Sequence, residues 1–378
     1  MHLLLCPDSF KDALSAQAAA RAMARGIQRA APQAHIDLCP LADGGEGSLD
    51  ALIAATGAER RIAYVHDALG RPTQAAWGWF EAERTAFIEL AEASGLQTLS
   101  ADERDARTTS TYGVGELFRA ALEAGAAKVL LLLGGSATND AGAGMLAALG
   151  AKLLDRHHQP LAPGGAALAE LHSLDLSSLD PRLARLHVEA AVDVDNPLLG
   201  RHGASAVFGP QKGATPEHVA ELDRALTHFA EITARTLGEN HRALPGAGAA
   251  GGMGFAARAF FSATLKPGIE LMMQQADMSH RLERADLVIT GEGRLDGQSL
   301  SGKTPIGVAR AAHKAGKPVI VLAGSLGEGW EACYAEGVTA AFALADGPMS
   351  LDEAVTRTTT LVEARCEGLI RLWQAAGS

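Results

Sequence analysis

The sequence predicts an α/β fold of two domains: a flavodoxin- or Rossmann-like doubly wound parallel sheet built from both chain ends, interrupted by an inserted mixed α/β domain. Three observations lead there. Short apolar segments alternate with helical ones over roughly the first sixty residues and again over about the last hundred, and such alternation demands a parallel sheet with helices on both faces. Acidic, glycine-rich segments follow several of the apolar ones, at the carboxyl ends of strands, where open α/β sheets bind ligands. The middle of the chain has another rhythm, with closely spaced short strands and loops. The expected boundaries are 1–62 with 283–378 for the sheet domain and 63–282 for the insertion.

Taken in order, Leu3 to Cys6 is an apolar run that stops at Pro7-Asp8-Ser9-Phe10-Lys11, and the Ala-rich stretch from Ser15 to Ala30 reads as a helix. Ile36 to Leu41 is the next strand, followed by Ala42-Asp43-Gly44-Gly45-Glu46-Gly47 and a helix from Glu46 to Ala55. Short strands are expected at Ile62 to Val65, Gln74 to Phe80 and Thr85 to Glu89, with Trp77-Gly78-Trp79 in the core. Lys128 to Leu133 is an apolar strand. It runs into Leu133-Gly134-Gly135-Ser136-Ala137-Thr138-Asn139-Asp140 and then a small-residue helix to Leu149. Backbone N–H groups at such a junction can hold anions, although Asp140 as a helix N-cap explains the pattern equally well. Pro160 to Leu183 is loop-rich, with two prolines and paired glycines, and Leu186 to Val192 leads into Asp193-Val194-Asp195-Asn196-Pro197. Leu244 to Gly254, rich in Gly and Ala, is either a hinge or a helix start where two elements pack closely. The last segment carries strands at Leu287 to Thr290, Pro318 to Leu322 and Ala340 to Ala343. Helices there are expected at Pro305 to Ala315, around Trp330 to Ala335 and at Leu351 to Trp373.

Composition narrows the function classes. A chain of 378 residues buries a large core without staples. Cys6, Cys39, Cys333 and Cys366 are widely separated and form no Cys-x-x-Cys pair, against structural zinc or a disulfide framework. The thirteen histidines include no His-x-x-x-His pattern. The apolar run after His2 is too short for a secretory signal, and none approaches the ~20 residues of a membrane helix, so a cytoplasmic location is expected. A net charge of −11 without a basic aromatic-laced stretch argues against nucleic acid and anionic membranes. Small anions would need local cations and backbone dipoles.

Together the motifs resemble the glycerate kinase family that contains the bacterial glycerate 2-kinases. The correspondence runs nearly end to end. It covers Pro7 to Lys11, Leu14-Ser15-Ala16, Pro40 to Gly47, Leu69-Gly70-Arg71, Ser110 to Gly115, Gly134 to Asp140, Asp193 to Leu198, Phe208 to Ala214, Gly248 to Gly254 and Gly291 to Lys303. Asp12-Ala13 stands where the family usually has Gly-Ser, and Ala141 where a glycine usually follows Asn-Asp. The resemblance implies a two-domain fold and transfer of the γ-phosphoryl of ATP to a hydroxyl of D-glycerate, with the 2-hydroxyl favoured.

That chemistry asks for positioning and charge neutralisation through Mg²⁺, cationic side chains and backbone donors. Lys11 and Arg71 are the candidate cations for the substrate carboxylate or the transferring group, with Arg71 suited to bidentate capture. Asp193 and Asp195 flank Val194, so in extended chain they share a face, and one could take the proton of the attacking hydroxyl. Ser9, Ser136, Thr138, Asn139, Asp140 and Asn196 are expected to bind substrate. The nucleotide is expected at Gly134, Gly135, Gly291, Glu292, Gly293, Arg294, Ser299, Gly302 and Lys303. Asp43, Glu46 and Asp296 are the expected Mg²⁺ ligands. Gly297 to Thr304 satisfies the P-loop pattern G-x-x-x-x-G-K-[ST] letter for letter, but a strand ending at Thr290 and Pro305 after Thr304 speak against that context. A dinucleotide oxidoreductase lacks its G-x-G-x-x-G after the first strand. Asp12 beside Lys11 is the one feature favouring a non-catalytic sugar-acid sensor.

Overall fold

A computed structural model describes residues 1–376. Its strands are β1 (His2–Pro7), β2 (His35–Leu38), β3 (Glu59–His66), β4 (Pro72–Phe80), β5 (Thr85–Glu89), β6 (Lys128–Leu132), β7 (Lys152–Leu154), β8 (Ser173–Asp175), β9 (His187–Ala191), β10 (Thr264–Lys266), β11 (Leu287–Leu295), β12 (Val319–Leu326) and β13 (Ala340–Ala343). The chain divides into two compact units. One holds Met1–Asp43, Asp50–Gly57 and Ile269–Ser378, the other Gly44–Leu49 and Ala58–Gly268.

In the first unit all strands are parallel, in the order β13-β12-β11-β1-β2. The chain moves one way from β1 to β2 and the other way from β1 to β11, so the order reverses between β1 and β11. Such a switch point opens a crevice at the carboxyl ends of the two strands. Leu3 and Leu5 of β1, Leu287 and Ile289 of β11, and Met23 and Ile27 of the helix Ala16–Ala30 build the core together with Leu361 and Ile370 of the last helix. Ser15 caps the first of these helices through the Ala18 N–H.

β11 continues past the expected end at Thr290 to Leu295, because Gly291, Glu292, Arg294 and Leu295 keep pairing with β12. The Gly-Glu-Gly-Arg segment is therefore strand. This also changes the surroundings of Gly297 to Thr304, which form a loop between β11 and the helix Thr304–Lys314.

The second unit has a mixed sheet in the order β10-β9-β6-β5-β4-β3, parallel from β10 to β5 and antiparallel at β4 and β3. β3 begins at Glu59 because it pairs with β4 along its whole length. The segment from Ile269 onward belongs to the first unit, where Ile269 packs against Gly307. Both differ from the boundaries read at 62/63 and 282/283. Trp77 and Trp79 are buried, with Arg61 over both rings. The helix expected from Asp140 begins only at Ala143. Gly248 to Gly254 begins the helix Ala249–Phe261, with left-handed backbone at Ala250, Gly251 and Gly252. A Cβ on Gly251 would stand 2.0 Å from the Thr138 carbonyl oxygen, so the small residues permit close packing. The four cysteines are buried free thiols. Among the described residues no helix is long and apolar enough to cross a membrane.

Candidate active site

In the first unit the functional candidates gather at the switch point. Pro7 of β1 pairs with Gly291 of β11, and the Asp8 N–H donates to the Gly291 carbonyl, so Asp8 and Glu292 directly follow a paired position on neighbouring strands. The Thr304 hydroxyl, at the start of its helix, donates to Asp8 Oδ2 at 2.6 Å. Burial pushes the Asp8 carboxyl up to about 6, opposed by the Thr304 hydrogen bond and aided by Asp43. Burial likewise raises Glu292 to about 7; Ser299 and Lys303 favour its charged form, whereas Asp8 and Asp296 oppose it. Glu292 is 7% exposed, and its Oε1 has no hydrogen-bond partner. Lys11 is exposed just beyond β1, and Ser9 is half-buried beside it.

The loop after β11 has the P-loop letters, but several of its backbone donors are engaged within the protein. The Gly297 N–H donates to Glu328 O, that of Gln298 to Asp296 Oδ1, and those of Ser299 and Lys303 to Asp296 O and Ser299 O. Asp296 also pairs with Arg294 at 3.0 Å. Among the described residues no group of three or more His, Cys, Asp or Glu side chains converges as a ready-made metal cage.

In the second unit another group of strand-end loops converges. The Gly134 N–H donates to the Gly44 carbonyl at 3.1 Å, and a Cβ on Gly134 would meet the Gly45 Cα at 2.4 Å, so the two glycine pairs touch backbone to backbone. Buried Glu89, at the end of β5, receives the N–H groups of Gly47 and Leu49 and so fixes the 44–49 segment. Asp193, Asp195 and Glu46 are all exposed, and Asp193 accepts from the Gly268 N–H at 2.8 Å. The Asn196 amide donates to the His202 carbonyl.

Four expected substrate contacts are interior instead. Asp140 is 1% exposed and accepts from Thr111 N–H, the Thr111 hydroxyl, and the Gly142 and Gly144 N–H groups. Burial raises its carboxyl, and those hydrogen bonds hold the charge. The Asn139 amide donates to Ser205, and the fully buried Lys212 ammonium donates to Ser136 Oγ and the Thr138 carbonyl, both at 2.7 Å. These side chains build the Gly134–Asp140 loop and are shielded from solvent. Arg71, read as a substrate cation, lies between Asp67 and Glu103, each at 2.6 Å. Sequence reasoning gave no role to Asp8, Thr304, Glu89 or Lys212, although Asp8 directly follows an apolar strand inside a quoted motif.

The family model described as "Glycerate kinase family" matches residues 3–374. The chain belongs to the glycerate kinase family. It is 46% identical to the glycerate kinase of Halalkalibacterium halodurans, over 98% of each chain. It is also 46% identical to the glycerate 2-kinase of Escherichia coli K12, over 94% of this chain and 93% of that protein. A crystal structure of a protein provisionally assigned as glycerate kinase 2, from Salmonella typhimurium LT2, superposes with a TM-score of 0.91 at 44% identity, covering 100% of this chain and 99% of that one. In this chain the motifs Pro7 to Lys11, Pro40 to Gly47, Gly134 to Asp140 and Asp193 to Leu198 follow the parallel strands β1, β2, β6 and β9.

Proposed function

We propose that this enzyme transfers the γ-phosphoryl group of ATP to the 2-hydroxyl of D-glycerate, giving 2-phosphoglycerate and ADP. The carrying observation is its 46% identity with a protein named glycerate 2-kinase over 94% of the chain.

The first unit supplies the nucleotide side. Lys303 and Lys11 offer cations to phosphate oxygens, and the extended Gly291–Arg294 backbone lines the approach. Mg²⁺ fits the residues at the switch point, since it takes one or two carboxylates and leaves other positions to phosphate and water, and Glu292 Oε1 is an unpartnered buried acceptor there. When bound, it neutralises charge developing on the transferred group. With Asp193 engaged at the Gly268 N–H, Asp195 is the residue left to take the hydroxyl proton, while Asn196 holds the loop through His202. Ser9, half-buried after β1, is the remaining polar candidate for contact with glycerate.

³¹P NMR of the product from D-glycerate and MgATP tests both reaction and position. A 2-phosphoglycerate resonance growing with ADP is expected. The 3-phospho isomer would refute the position, and no phosphorylated product would refute the reading.

A further inference from the structure

We infer that the divalent cation carried by the nucleotide is seated at the β1/β11 switch point by Asp8 and the Thr304 hydroxyl, with Glu292 completing the seat. This rests on the kinase reading and names a site different from Asp43, Glu46 and Asp296.

Three independent features meet there. Asp8 and Glu292 each follow the paired Pro7 and Gly291 directly, the Asp8 N–H is bonded to the Gly291 carbonyl, and the charge of Asp8 acts on Glu292. Glu292 Oε1 is buried without a partner, a costly state for a carboxylate oxygen that a bound cation relieves. Thr304 opens an eleven-residue helix directly after a Gly-Lys pair and donates to Asp8. A threonine at that place beside an acidic residue from the neighbouring strand repeats the Mg²⁺-holding pair of P-loop enzymes, in which a loop Ser/Thr and a strand-end Asp share the ion. The resemblance stops at the loop, whose Gly297, Gln298, Ser299 and Lys303 N–H groups are already bonded within the protein. The pair is kept while much of the backbone cradle is engaged elsewhere, so phosphate capture leans on the ion and on Lys303. Two carboxylates and a hydroxyl leave room for the phosphate and water oxygens that Mg²⁺ prefers to an all-protein cage.

The test titrates Mn²⁺ by electron paramagnetic resonance into the intact protein with the β,γ-imido analogue of ATP. Asp8→Asn and Thr304→Val are expected to weaken Mn²⁺ binding at least tenfold, Glu292→Gln several-fold, and Thr304→Ser to keep near wild-type binding. Because Thr304→Ser preserves the hydroxyl, the Ser/Val contrast, with both variants verified as folded by circular dichroism, decides the matter even if Asp8→Asn does not fold. Equal binding by wild type, Thr304→Val and Thr304→Ser would overturn the inference, as would loss confined to Asp43→Asn or Asp296→Asn. Absence of nucleotide-dependent Mn²⁺ binding in the wild type would instead overturn the kinase reading.

Discussion

Lys212 hands its ammonium hydrogens to Ser136 and Thr138 from a position 1% exposed. Burial pushes its pKa down to about 7, opposed by the charge of Asp140. In the unfolded chain a lysine keeps its proton to about 10.4. Between those values the unfolded state binds more protons, so the native state gains stability as pH rises from about 7 toward 10, and below 7 the full cost of the buried charge remains. Lys212→Met is expected to lower stability at pH 7 by about 1–3 kcal/mol, through the unpaired Ser136 and Thr138 acceptors, and to flatten that rise. Urea midpoints at pH 7, 8 and 9 check it, and parallel pH slopes for the two proteins would refute the titration. Nothing in the sequence separates Lys212 from a solvated lysine. Its burial depends on Gly209 to Gly213 turning beneath the Gly134–Asp140 loop, a contact between segments some seventy residues apart. Asp140 illustrates the converse. A carboxylate at a glycine-rich strand end looks like a ligand, and only the four donors from Thr111, Gly142 and Gly144 reveal it as an internal staple.

At the level of elements, alternation of apolar and helical segments located the strands, and most expected strands of both units recur within a few residues. The exceptions have physical causes. Glycine and charge are depleted in strands, so Gly291 to Arg294 reads as a loop, yet β12 supplies a parallel partner that carries β11 on to Leu295. The helix after β6 starts late because Ala141 and Gly142 take left-handed backbone while Asp140 gathers the N–H groups of the first turn. The same economy of space governs the start of the helix Ala249–Phe261. Gly251 has φ +67° and packs against the Thr138 carbonyl, so Gly251→Ala brings both left-handed strain and a clash at 2.0 Å. A loss of about 2 kcal/mol or more is expected. The disturbance should reach the adjoining Gly134–Asp140 loop, raising amide exchange at Thr138 to Asp140. A Gly251→Ala protein with unchanged melting temperature would show that the helix start relaxes freely.

For the molecule as a whole, the net charge of −11 poses the problem that any enzyme for two anionic substrates must solve. At the switch point the charge of Asp43 acts on Asp8, and the charges of Asp8 and Asp296 act on Glu292, so a polyanionic triphosphate arriving alone meets like charge in a poorly screened place. A divalent cation turns the same carboxylates from repulsive to attractive. Nucleotide binding is therefore expected to depend on the metal, and its effect should be local, because a ligand stabilises the segments it touches by RT ln(1 + [L]/Kd), about 2.7 kcal/mol at a hundredfold excess over Kd. With Mg²⁺, the imido analogue of ATP should slow amide exchange at residues 8–12 and 296–303 by up to about a hundredfold where exchange requires the bound region to open. D-glycerate should instead protect 44–47 and 193–196 in the second unit. Replacing Mg²⁺ with excess chelator should remove most of the nucleotide's protection and leave that of glycerate nearly intact. Equal protection by the nucleotide with and without metal would mean that Lys11 and Lys303 suffice to hold the phosphates, and the acidic switch point would lose its role in nucleotide binding.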